Sequence, residues 1–115
     1  MMPVAAVMMF LLAFIVPNKL TGRWERISPT GNVIGVIFKE DNTFDAYINK
    51  KPFVSGTYDL HDNIFTVIDN GCPDIKGVFK MTFFSNDDSM RVELISDSCT
   101  ERGKGLHNNV YGRVK

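Results

Sequence analysis

From Leu20 onward the chain breaks every few residues at a cluster of Gly, Pro, Asn or Asp, a rhythm that excludes any fold built on long helices. The segments between the breaks are 20–28, 33–39, 43–49, 53–60, 64–69, 75–84, 90–96 and 109–114. They alternate apolar and polar residues, the period of a strand with one wet face. Phe44, Ala46 and Ile48 oppose Thr43, Asp45 and Tyr47, while Met90, Val92 and Leu94 oppose Arg91 and Glu93. The connections are short, apart from a longer loop through Cys99. Strands joined this way pair antiparallel in chain order, because a parallel crossover needs a helix between them. Helical periodicity is absent, and no helix is predicted.

Closure follows from glycine. Gly22, Gly35, Gly56, Gly77 and Gly112 fall inside predicted strands, where a glycine weakens the ladder unless the strand must bend or another backbone must come close. A flat sheet of this size would also leave two edges and an uncovered apolar face. The expected fold is therefore all-β, an eight-stranded antiparallel up-and-down barrel, formed by residues 19–115. With Gly22 and Gly77 inward, the same faces carry Leu20, Trp24, Ile75, Phe79, Met81 and Phe83. Phe38, Phe44, Tyr58, Leu60 and Phe65 join them from neighbouring strands. Such an interior is either a packed core or the wall of a cavity for one small ligand, and the residue types suit both.

Ahead of the barrel, Met1 to Val16 carry no charge, and the apolar run from Val4 to Val16 is too short for the roughly 20 residues of a membrane-spanning helix. Residues 1–18 fit a signal peptide, although no basic residue precedes the run and Phe14, Ile15 and Val16 leave no small-residue cleavage site. An uncleaved membrane anchor and a misassigned start or fold-internal strand are the alternatives. Export agrees with Cys72 and Cys99, an even pair for which a disulfide is the default and two buried thiols the alternative. Closing that loop removes about 3 to 4 kcal/mol of unfolded-state entropy in the chain-entropy model. Thirteen basic and thirteen acidic side chains cancel, which argues against nucleic acid as a partner.

Little in the chain suggests catalysis. There is no Gly-x-Ser-x-Gly, Walker loop or His-Glu-x-x-His. Asp41, Asp59, Asp62, Asp69, Asp87 and Asp88 stand at strand ends, where carboxylates stabilise turns. His61 and His107 read as exposed turn residues, too far apart in sequence for a zinc pattern, so neither metal nor cofactor is expected. Asp97 and Arg102 form the one polar pair singled out, as a salt bridge bracketing Cys99. Alternatively the loop is a lid, with Arg102 meeting an anionic head group and Leu106 sealing the mouth.

"LTGRW" at Leu20–Trp24, with the eight-strand rhythm, resembles the lipocalin and calycin superfamily. "GTYDL" at Gly56–Leu60, "CPDIKGVFK" at Cys72–Lys80 and "DSCTER" at Asp97–Arg102 narrow the resemblance to the small lipocalin-like domains of exported bacterial proteins. It covers Lys19 to Lys115. The resemblance implies an Arg packed across Trp24, and of Arg102 and Arg113 the former is favoured. It also implies a non-catalytic barrel, periplasmic or extracellular, that binds a small apolar or amphipathic ligand through Trp24, Phe38, Phe44, Tyr58, Phe79, Met81, Phe83 and Arg102. The competing expectation is a filled barrel whose loops 50–53, 70–75 and 86–89 engage an envelope or extracellular protein. Contact with a membrane is expected only through an uncleaved N-terminal segment.

Overall fold

Eight strands close into a single antiparallel ring in which each pairs with its chain neighbours and the last returns to the first. They are β1 (Gly22–Ile27), β2 (Val33–Phe38), β3 (Thr43–Ile48), β4 (Lys51–His61), β5 (Ile64–Asp69), β6 (Gly77–Phe84), β7 (Ser89–Asp97) and β8 (Asn109–Arg113). These elements belong to a computed structural model that describes residues 18–115. Apart from Asn18, the expected export leader lies outside the described residues.

The predicted breaks are turns for a local reason. Two-residue hairpins need positive φ at both central positions, and Asn49 (51°) with Lys50 (69°), and Asp62 (50°) with Asn63 (65°), supply it. The first of these turns falls slightly earlier than the Lys50–Pro52 break read from the sequence. Pro52 instead lies inside β4 opposite Tyr47, beside a bulge that leaves Phe53 without a registered partner on β3; a bulge is where a strand tolerates proline.

One element contradicts the sequence reading. Residues after Cys99 form α1 (Thr100–Leu106), not a loop. A helix this short is not sustained by propensity, least of all with Gly103 and Gly105 in it, so tertiary contacts must hold it. Gly103 is buried against β7, where a Cβ would stand 3.4 Å from both Asp97 Cβ and Leu94 Cδ1.

At the end of the barrel where β1 begins, Trp24 is fully buried, and its Nε1 donates to the Leu20 carbonyl at 2.9 Å. The Arg113 guanidinium lies 4.3 Å from the centre of the Trp24 ring system. It also donates to the carbonyls of Thr21 (3.0 Å), Lys19 (2.8 Å) and Asp87 (3.0 Å). Gly22 beside it takes φ 125°, a backbone conformation that residues with a Cβ rarely adopt. Leu20 plugs the opening. The expectation that Arg102 stacks on Trp24 is therefore corrected: the β1–β8 register sets Arg113 directly beside Trp24, whereas Arg102 belongs to α1 at the opposite end. Residues 86–89 likewise belong to this closed end, because β6 and β7 meet there; they do not share an end with 50–53 and 70–75.

On the outer face the Tyr47 ring covers Gly35, its partner across β2 and β3, and its hydroxyl donates to Glu25. Burial first, then the Glu25 carboxylate, push the phenol up from 10.0 to about 12. Because the folded state favours the neutral phenol, the stabilisation is complete below the unfolded value near 10 and is lost as pH climbs towards about 12. Following phenolate absorbance against pH in wild type and Tyr47→Phe should assign the step near 12 to Tyr47. At the closed end, Arg113→Met should lower unfolding stability by about 2 kcal/mol in urea titration, the stack and its carbonyl contacts together, with strand content unchanged by circular dichroism.

Candidate functional site

The closed end is packed; the other end is not. A cavity of about 930 Å³ occupies the half of the barrel away from Trp24 and reaches the rim between the loop before β6 and α1. Strand register layers its wall. At the mouth, Arg26 pairs with Ile34 and Ile34 with Ile48. One layer down, Val36, Ala46 and Val54 follow each other across β2, β3 and β4, and below them Phe38 pairs with Phe44. All of these except Arg26 are apolar, so the alternation that put Phe44, Ala46 and Ile48 on one face has become a cavity wall.

Of the residues expected to meet a ligand, Phe38, Phe44, Met81 and Arg102 line this space. Trp24, Tyr58, Phe79 and Phe83 do not: they are packed outside it. Phe83 packs at 6.3 Å from Trp24, and Tyr58 lies edge-on to Phe38 at 4.8 Å. Phe65, 6.4 Å from Phe79, joins the packed half to the cavity wall. The two sequence alternatives, filled or hollow, are thus each true of one half.

The mouth is built by the disulfide and by charge. Cys72 and Cys99 are bonded, tying the loop before β6 to the residue that opens α1. Asp97 accepts from Arg102 Nε at 2.7 Å and Nη2 at 2.9 Å, and from the Cys99 amide at 2.9 Å. Arg102 Nη2 also donates to the Ile75 carbonyl at 2.7 Å, and Nη1 lies 3.4 Å from Asp69 Oδ2. Asp69 meanwhile accepts from the amides of Gly71 (2.9 Å) and Cys72 (3.2 Å), the turn role expected of it. Gly77 makes room for the pair, since a Cβ there would lie 2.4 Å from Asp97 Oδ2. The hydrogen bonds that Arg102 donates to Asp97 lead the causes that raise its pKa above the ordinary value. Its side chain is only 7% exposed. Arg102 is thus already neutralised by two carboxylates, which leaves it poorly placed to take a ligand's anionic head group.

A different cation was passed over in the sequence. Arg26 lines the cavity, its guanidinium 5.9 Å from the Tyr111 ring. Its buried Nε has no hydrogen-bond partner among the described residues. The signal was present, because period two carries the inward face of β1 from Gly22 through Trp24 to Arg26. A charged residue in a strand is ordinarily assigned to the wet face.

No protein-family model and no curated protein sequence matches the chain. Among the described residues, no helix is long and apolar enough to cross a membrane.

Removing Asp97 takes both short hydrogen bonds from the buried Arg102 and leaves it only the 3.4 Å contact with Asp69. Asp97→Ala should therefore cost about 3 to 5 kcal/mol of unfolding stability. With the disulfide intact, amide exchange should rise first in α1.

Proposed function

We propose that the chain is an exported, lipocalin-like barrel that holds a small apolar or amphipathic molecule in its open half and performs no covalent chemistry on it. The cavity carries this reading. At about 930 Å³, walled by apolar side chains and floored by Phe38 and Phe44, it falls within the roughly 300–1,000 Å³ of small-molecule sites. The closed half gives rigidity, and the disulfide and Asp97–Arg102 pair hold α1 at the mouth. Gly22, Trp24 and the stacked Arg113 support the lipocalin-like part of the reading. The Cys72–Cys99 bond suits an oxidising compartment, and the apolar run Val4–Val16 suits export.

A second reading rests on the rim. Phe53 is 63% exposed and Ile75 is also exposed beside the mouth, as an apolar anchor for another protein would be. The two readings separate in one pair of measurements. Native mass spectrometry of protein exported by its own host, before and after organic extraction, should show an extra mass that extraction removes. Ala46→Trp, which projects an indole into the cavity, should abolish binding of the neutral fluorophore N-phenyl-1-naphthylamine while leaving the strand spectrum intact. A clean apo mass together with no fluorophore binding by wild type would overturn the cavity reading in favour of the rim.

A further inference from the structure

Among the described residues, four charged side chains line the cavity: Arg26, Asp69, Glu101 and Arg102. Asp69 and Arg102 face each other, and Arg102 is held by Asp97 as well. Glu101 is exposed on α1. Arg26 projects from the inward face of β1, makes no salt bridge among the described residues, and keeps its Nε buried without an acceptor. Arg102 Nη1 is likewise buried without a hydrogen-bond partner, but it lies 3.4 Å from Asp69 Oδ2, whereas Arg26 faces no carboxylate among the described residues. A buried guanidinium N–H left unpaired costs more than an exposed one, so an arriving acceptor gains what the empty site lacks.

Resting on the cavity reading above, we propose that Arg26 anchors the head of the bound molecule, and that this molecule is an apolar tail or ring system bearing one carboxylate. The position of Arg26 sets the orientation. It shares the mouth layer with Ile34 and Ile48, two layers above Phe38 and Phe44. A head group on Arg26 therefore stays near water while the tail descends between Val36, Ala46, Val67 and Met81. The charges at the mouth set the valence. One unpaired guanidinium balances one negative charge, and a dianionic phosphate monoester would face the carboxylates of Asp69 and Glu101 without a second free cation. The planar fork of a guanidinium matches a carboxylate. The ring of Tyr111 beside Arg26 holds the fork in place without competing for its donors.

The test uses displacement of N-phenyl-1-naphthylamine by dodecanoate, dodecanol and dodecylamine, each below its aggregation concentration. Wild type should bind dodecanoate about tenfold more tightly than dodecanol, the scale of a hydrogen bond to a charged group, and dodecylamine more weakly than either. Arg26→Met should remove the preference for dodecanoate over dodecanol, and Arg26→Lys should retain part of it. Equal affinity of wild type for acid and alcohol, or a preference that survives in Arg26→Met, would overturn the head-group assignment and leave the cavity reading standing. If wild type binds neither the fluorophore nor any of the three amphiphiles, the cavity reading itself fails. The wild-type comparison needs no variant, so it decides the matter even if Arg26→Met does not fold.

Discussion

The stack of Arg113 on Trp24 is the contact on which the rest of the barrel depends. It joins the first strand to the last across a seam with only two registered residue pairs, Trp24 with Arg113 and Glu25 with Gly112. A seam so short contributes little by its ladder alone. The guanidinium adds what the ladder lacks, lying over the indole and donating to three carbonyls that would otherwise face the opening. One end is thereby sealed, and the interior is free to be hollow at the other.

The division into a packed half and a hollow half follows from where the large rings fall. Trp24 and Phe83 pack together beside the seam, and Tyr58 packs against Phe38 and Phe65, while the layers beyond carry the small side chains Val36, Ala46 and Val54. The open end needs a different kind of support, because no aromatic cluster fills it. A covalent bond and a buried ion pair take that role. Gly77 is small enough for the Asp97 carboxylate to sit against β6, and Gly103 of α1 packs beside the same side chain. The same end thus combines a rigid frame with an apolar interior that its own side chains do not fill.

Much of this was legible in the residues and some was not. The turns were, because Asn and Asp at Asn49, Asp62 and Asn63 announce positive φ, and the apolar alternation gave the inward face of β3 and, at Met90 and Val92, of β7; Leu94, expected on the same face, is exposed beside the β6–β7 bulge. The helix was not: Thr100–Leu106 carries two glycines and one large apolar residue, and it is held by the disulfide, the Asp97–Arg102 pair and contact with β7, none of which leaves a periodic trace. The choice between Arg102 and Arg113 turned on strand register, which links positions far apart in the chain. Arg26 escaped for a third reason. Its place in the alternation pointed inward, but its charge argued for solvent, and local polarity outweighed period in the sequence reading.

The same seam orders events in time. Arg113 reaches the carbonyl of Thr21 across 92 positions of chain, so the ring cannot shut until nearly every other strand has been made. Hairpins between neighbours such as β2 and β3 involve only local closure and form early, whereas the final joint is the most non-local pairing in the molecule and forms slowly. A polypeptide emerging from its N-terminal end therefore holds Trp24 without its Arg113 stack until β8 is out. Until then it is an open ribbon, and the last strand to emerge closes that ribbon into a ring.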